Sequence, residues 1–161
     1  MWFIKNIKKG MMKVIQSMVN DITLLSSNSA PINFVRDCIR TRSTYNWLCR
    51  NTGSPLYKIK QGGNYKVTFN ANVTSTAIGV VALGLYADGV LLPGTTVIVD
   101  VATAGSYYNV SFDKIVPICC GTSTTLTVAS VPSVLTGTTP AATVTQVPTI
   151  QNANLTITRL S

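Results

Sequence analysis

The chain has 161 residues, enough for one domain and a short appendage, and it contains neither histidine nor glutamate. Five aspartates, with no histidine to activate a serine or cysteine, leave little material for acid–base or covalent catalysis. Phosphate-binding loops, dinucleotide fingerprints and carboxylate clusters are also missing from the sequence. We therefore expect no enzyme, no small-molecule substrate, no cofactor and no metal site.

Positive charge is concentrated in the first part of the chain. The formal net charge is +8; basic residues outnumber acidic ones by nine up to Lys66, and the remainder carries a balance of −1. This asymmetry indicates that the two parts meet different partners. Lysines interrupt the apolar residues of the N-terminus, and no stretch reaches the roughly 20 apolar residues of a membrane span. We expect a protein made and assembled in the cytoplasm.

Residues Trp2 to Val19 form the first segment. Its apolar residues recur at three- and four-residue steps from Ile4 to Met18, with lysines offset on another side. This spacing predicts an amphipathic helix, which Gly10 weakens. An extended arm lying on a partner and a helix packed on its own domain remain open as alternatives. We predict that residues 1–30 form a basic attachment arm, with these docking residues: Trp2, Phe3, Ile4, Lys5, Ile7, Lys8, Lys9, Met11 and Lys13.

From residue 31 to residue 161 the periodicity changes to two and predicts a β sandwich. The apolar residues Val67 to Val73 alternate with polar ones, as in a strand with one wet face. The run from Val80 to Tyr86 is apolar on both faces and should lie deep. Further strands are predicted at Ile32–Ile39, Leu56–Lys60, Val97–Val101, Tyr108–Phe112, Thr124–Ala129 and Asn154–Leu160.

Turn signals separate these strands. Asp88-Gly89 predicts a tight hairpin, and Pro93-Gly94 predicts a type II turn. The segment from Val131 to Pro148 contains too many prolines for a central strand. We predict that it is a long exposed loop at one end of the sandwich.

Four cysteines are present, at positions that do not match a zinc-binding spacing. We expect reduced, partly buried thiols, with a Cys38–Cys49 bridge as the alternative. Cys119 and Cys120 are adjacent and would point to opposite faces of a strand. Trp47, in the basic part of the chain, is a further candidate for an anchor in a partner's pocket.

Three stretches carry a resemblance to a known family. Gly63 to Phe69 (GNYKVTF), Leu83 to Thr95 (LGLYADGVLLPGT) and Asn152 to Ser161 (NANLTITRLS) resemble the opening strand, the hairpin and the closing strand of the C1q/TNF-like proteins and their bacterial and phage relatives. The resemblance implies an all-β, antiparallel jelly-roll sandwich that forms a homotrimer. Short members of this kind resemble phage head-fibre or head-decoration proteins. The collagen-like repeats of the spore-surface relatives are absent, and the resemblance says little about the residues before Gly63.

Composition and resemblance together predict a structural protein of the virion surface. It would be a trimeric head decoration or head fibre, attached through its N-terminal segment to a larger assembly such as a phage major capsid protein. Two alternatives remain open: a small jelly-roll capsid protein whose arm binds nucleic acid, and an adhesin whose loop at 131–148 meets a receptor or glycan. A basic amphipathic N-terminus lying on lipid is a further alternative. We expect neither nucleic acid nor a membrane as the partner.

Overall fold

The computed structural model describes residues 13–19, 23–24, 30–40, 47–51, 53–132 and 143–160. This part of the chain is built from twelve strands. Their bounds are β1 Lys13–Val19, β2 Thr23–Leu24, β3 Arg36–Arg40, β4 Leu48–Cys49, β5 Tyr57–Ile59, β6 Gly63–Thr74, β7 Gly79–Ala87, β8 Val90–Leu91, β9 Val97–Val101, β10 Tyr108–Ile118, β11 Thr124–Ser130 and β12 Thr149–Arg159.

The strands form two six-stranded antiparallel sheets. The first sheet has the order β10-β6-β12-β1-β3, with β2 also paired to β12. The second has the order β4-β5-β11-β7-β8, with β9 also paired to β7. Many paired strands, such as β1 with β12 and β5 with β11, are far apart in sequence, as in a jelly roll, where the chain crosses repeatedly between sheets. The predicted all-β sandwich is confirmed.

Alternation along the long strands builds the core between the sheets. In β6 the side chains from Tyr65 to Val73 are buried at every second position, and the residues between them face outward. The strand β7 is buried on both faces from Val81 to Leu85, as its sequence predicted. Burying apolar surface at about 25 cal/mol per Å² is the main force holding the two layers together.

The two predicted turns have the backbone conformations that their sequences require. Asp88 and Gly89 have φ angles of 49° and 81°, so both central residues of the β7–β8 hairpin are left-handed, as in a type I′ turn. Gly94 has a φ of 74°, which fits the third position of a type II turn. Asn, Asp and Gly tolerate this region best, and the hairpin register is therefore fixed by local sequence.

The helix predicted over Trp2 to Val19 is wrong for the residues that the structure describes. Residues Lys13–Val19 form β1, which pairs with β12 along its whole length and with β3 on its other side. Ile15, Ser17 and Val19 point into the core, because a strand buries alternate residues. The apolar positions Ile15 and Met18 fit a helical period over such a short run, and pairing with a distant strand decides the outcome. Residues 1–12 lie outside the described residues.

Two smaller predictions need correction. The strand predicted at Ile32–Ile39 begins later, at Arg36, although Ile32 and Phe34 are fully buried. The segment predicted as an exposed loop after Val131 is held at both ends: Val131 and Val144 are buried together against Ala82. Its central residues, 133–142, lie outside the described part of the chain.

Candidate interaction surfaces

The outward face of the first sheet is broad and mostly polar. Strand register aligns side chains from four strands in rows: Gln16, Thr156, Thr68 and Asp113 form one row. We call this surface the polar face. Its outward residues on the four strands include Gln16, Met18, Lys66, Thr68, Asn70, Asn72, Asn109, Ser111, Asp113, Ile115, Asn154, Thr156 and Thr158.

Side chains on the polar face bond to each other across strands. The amide nitrogen of Asn70 donates to Asn109 Oδ1 at 3.3 Å, and the amide nitrogen of Asn109 donates to Asn72 Oδ1 at 3.1 Å. On the four strands the charged groups are Lys66 and Asp113, whose Nζ and Oδ2 are 2.9 Å apart, and the exposed Arg36 of β3 lies beside Met18 at the edge of the face. The face therefore carries few charges and offers amides and hydroxyls to a partner.

A hollow of about 130 Å³ opens on the polar face where β12 bulges between Ile150 and Ala153. Asn70 and Asn154 are among the residues that line it. The Oδ1 atom of Asn154 is buried and has no hydrogen-bond partner among the described residues. A buried acceptor without a donor is costly, so this position favours a covering group that donates a hydrogen bond.

Positive charge gathers at one end of the sandwich. Strand pairing places the start of β1 beside the end of β12, since Lys13 is opposite Arg159. The same end carries the close of β5 and the β7–β8 hairpin. We call it the basic end, and its residues are Lys13, Lys58, Lys60, Asp88, Val90, Arg159 and Leu160.

Hydrogen bonds fix the shape of the basic end. The Arg159 guanidinium donates from Nη2 to the Gly62 carbonyl at 3.1 Å and also bonds the Gln61 side chain. It lies 6.0 Å from the centre of the Tyr65 ring. Tyr65 in turn donates to the Gln61 carbonyl at 2.7 Å, and burial raises the pKa of its hydroxyl. The Arg159 side chain is thus held against the segment from Gln61 to Tyr65.

The opposite end of the sandwich is built from connections between strands. Residues 75–78 join β6 to β7, and residues 102–107 join β9 to β10. The segment that follows β11 and returns to β12 is fastened there, because the backbone N–H groups of Thr145 and Gln146 donate to the Val80 carbonyl at 3.0 and 3.1 Å. The two ends therefore differ in chemistry: one is cationic, and the other consists of neutral loops.

Comparison with known proteins identifies the fold. No model of a known protein family and no curated protein sequence matches the chain. Solved structures do match: the globular domain of zebrafish complement 1qA protein has a TM-score of 0.61 at 12% identity, covering 92% of this chain and 98% of that one. Murine APRIL has a TM-score of 0.58 at 10% identity over 92% and 99%, and Eiger TNF from S. frugiperda has 0.55 at 8% over 93% of each.

The chain has the C1q/TNF-like jelly-roll fold. The match extends over 92% of the sequence, so the resemblance seen from Gly63 onward is part of a longer structural likeness. Identities of 8–12% carry the fold alone, and the surfaces of this chain have to be interpreted from its own residues.

The docking residues predicted from sequence fall mostly outside the described part of this C1q/TNF-like sandwich. These are Trp2, Phe3, Ile4, Lys5, Ile7, Lys8, Lys9 and Met11, and their role stays a prediction. Lys13 is the first residue of β1, at the basic end. The division into an arm at 1–30 and a sandwich at 31–161 also stays a prediction, although the strand at Lys13–Val19 belongs to the first sheet.

Trp47 is not available as an anchor for a partner. Its side chain is fully buried, and its ring centre lies 5.3 Å from that of Tyr65. None of the residues described forms a helix with the length and apolar character needed to cross a bilayer.

Cys49, Cys119 and Cys120 are free thiols, as predicted, but they are exposed rather than partly buried. Cys49 forms no bridge to Cys38. Cys119 and Cys120 follow the last residue of β10 in a turn, so they are not on opposite faces of a strand. The side chain of Cys38 lies outside the described residues.

A buried ionic cluster, which the sequence did not predict, joins three parts of the chain. Arg50 donates to the Asp37 carboxylate and, at 2.9 Å, to the Ser54 carbonyl. Ser17, on β1, donates to the same carboxylate at 2.6 Å. The guanidinium lies 4.6 Å from the centre of the Tyr57 ring, and burial raises the pKa of the Tyr57 hydroxyl. No local motif announces this cluster, because its members come from separate strands and a connection.

Proposed function

We propose that the protein is a structural component of a virion: a trimeric head decoration or head fibre, attached to a capsid through its N-terminal segment. The observation that carries the proposal is the separation of two surfaces. A polar face with few charges covers one sheet, and a basic end lies where the N-terminal segment joins the sandwich. The first surface suits contact with further copies, and the second suits attachment.

Self-association follows from what the polar face lacks. Soluble surfaces commonly carry about 25–35% charged residues, which keeps molecules apart. On its four strands the polar face has one cation and one anion, which form an ion pair, and Arg36 lies at its β3 edge. A neighbouring copy can cover the hollow of the polar face. Its amide groups can also donate a hydrogen bond to the unsatisfied Asn154 oxygen. The C1q/TNF-like fold supports three copies, because the sequence resemblance implies a homotrimer.

The point where the N-terminal segment joins the sandwich supports its role in attachment to a capsid. Residues 1–12 are joined to Lys13, which is opposite Arg159 at the basic end. The segment before Lys13 contains three further lysines, Lys5, Lys8 and Lys9. Opposite charge on a capsid would steer the approach, and Trp2 and Phe3 are the residue types that provide anchors in a partner's pocket.

The oligomeric state is the first test. The mass of the purified protein in solution, measured by light scattering, should be three times the 17.2 kDa of the chain. A stable monomer at micromolar concentration would reject the assembly that the proposal needs.

The second test removes the N-terminal segment without touching the sandwich. Deleting residues 2–12 leaves β1 complete, whereas a deletion that extended past Lys13 would remove a strand that is paired on both sides. The shortened chain should keep the fold and the trimer mass but lose incorporation into virus particles produced in its presence. Unchanged incorporation would show that attachment does not depend on this segment.

A further inference from the structure

We propose that the basic end of the folded sandwich is itself a docking surface for an acidic protein surface, in addition to the N-terminal segment. This inference rests on the proposed function, since it names the chemistry of the partner and a second contact with it. The contact residues are Lys58 and Lys60, which are both exposed.

Their charge is free to act on a partner. Lys58 and Lys60 flank Ile59 in β5, and both side chains are exposed. Neither lysine forms an ion pair with any residue that the structure describes. The backbone of Lys60 is held by its N–H, which donates to the Trp47 carbonyl at 2.7 Å. Lys58 is therefore part of β5, and Lys60 directly follows it on backbone that is held by a hydrogen bond.

Apolar groups at the same end indicate the class of partner. Leu160 and Val90 are exposed by 52% and 67%, and Leu160 is fixed by its N–H, which donates to the Asn64 carbonyl at 2.8 Å. Surfaces that bind nucleic acid have dense lysines and arginines facing phosphates. Isolated cations beside exposed aliphatic side chains match the mixed composition of a protein interface.

One acidic residue also belongs to this end. The Asp88 carboxylate accepts the Thr125 N–H at 2.8 Å, which fixes it on the hairpin. A membrane or duplex surface covered with phosphates would repel the Asp88 carboxylate in any orientation that brings the whole basic end into contact with it. A protein surface can avoid it, because acidic groups can be placed opposite the lysines alone.

Cyclic symmetry multiplies the contact. Rotation about a single axis leaves direction along that axis unchanged, so a trimer whose axis runs along the sandwiches presents all basic ends on one side. The copies then engage together, and the second and third contacts are intramolecular once the first has formed. Contacts that are weak in a single copy therefore give tight binding of the trimer through avidity.

The experiment uses the full chain and a probe of defined chemistry. Binding is measured by biolayer interferometry on a surface of poly-L-glutamate, with surfaces of duplex DNA and of anionic phospholipid vesicles beside it. The variant Lys58→Gln/Lys60→Gln removes two cations from the basic end. The control Ala102→Glu/Thr103→Glu lowers the net charge by the same amount in exposed residues at the opposite end.

The full chain should bind poly-L-glutamate more tightly than DNA or vesicles. The lysine variant should bind it about tenfold more weakly or worse, because the loss is repeated in each copy, and the control should stay within about twofold. Equal losses in the two variants would show an effect of net charge alone and overturn the proposal. Tighter binding to DNA or to vesicles would overturn it in favour of those partners.

Failure here is distinguishable from failure of the proposed function. Both variants should keep the circular dichroism spectrum and the mass of the parent, which separates a docking defect from misfolding. If the lysine variant binds poly-L-glutamate normally while the deletion of residues 2–12 still abolishes incorporation into particles, the sandwich end is not a docking surface and the attachment role of the segment stands.

Discussion

Arg50 shows how one side chain can hold several elements together. Its guanidinium contacts the Asp37 carboxylate near the start of β3, the Phe34 carbonyl before it and the Ser54 carbonyl beyond β4. Asp37 also accepts a hydrogen bond from Ser17 in β1. Both charges are nearly or wholly removed from water, so each depends on its partners for stabilisation.

Replacing Arg50 by methionine should therefore destabilise the fold strongly. The buried Asp37 carboxylate would lose its ion pair with Arg50, and breaking such a pair from one side costs about 3–5 kcal/mol. Denaturant unfolding measures the loss. Lys58→Met, which removes an exposed cation nearby, should change the free energy of unfolding by no more than about 0.5 kcal/mol. Similar effects of the two substitutions would show that the cluster contributes little.

At the scale of elements, the polar face gives a direct test of assembly. Asn70 lies in its centre, on β6, between Asn154 and Ser111. The variant Asn70→Glu would place an uncompensated carboxylate in every copy of the interface, and burying it there is costly. We expect the trimer to dissociate into folded monomers, as seen by sedimentation velocity.

The matched control for Asn70→Glu is Ile98→Glu on β9. This residue is exposed on the outward side of the second sheet, where the proposed trimer makes no contact. The control should keep the mass of the parent. Dissociation of both variants, or of neither, would place the interface elsewhere.

Elements whose register is set locally were predictable from sequence. The strand β6 and the β7–β8 hairpin follow from alternation and from Asp88-Gly89, which act within a few residues. The strand β1 was not predictable in this way, because its apolar spacing also fits a helix and its partner β12 is at the other end of the chain. The non-local choice is made by tertiary pairing, which a single sequence does not display.

Of the two candidate surfaces, the basic end was partly predictable from sequence and the polar face was not. The excess of lysine and arginine before residue 67 pointed to a basic region, and the fold places Lys58 and Lys60 at the end where Lys13 begins β1. The polar face required the register of four strands, since Gln16, Thr68 and Thr156 share a row only after the sheet has formed. The Asp37–Arg50 cluster likewise depends on burial, which the sequence gives no means to place.

At the scale of the whole molecule, the tyrosines set a limit on alkaline stability. Burial raises the pKa of Tyr57, and it also raises the pKa of Tyr65 and Tyr86. A tyrosine whose pKa is higher in the folded state holds its proton more tightly there than in the unfolded chain. Its contribution is complete below the unfolded pKa of about 10 and declines above it.

The free energy of unfolding should accordingly fall as the pH rises above about 10. Tyr57→Phe should reduce that slope, because a residue that cannot ionise adds nothing to it. Chemical denaturation at a series of alkaline pH values, with tyrosinate absorbance followed in parallel, measures both quantities. An unchanged slope in the variant would show that Tyr57 ionises without unfolding the protein.

The pairing of β1 with β12 has a consequence for how the protein is made. The ribosome produces β1 first and β12 last, yet β1 lies between β12 and β3 in the finished sheet. Until β12 has been made, the early strand has no permanent neighbour on one side, and closing so long a loop is slow. The nascent chain therefore carries an unpaired edge of β1 while every strand from β2 to β11 is synthesised.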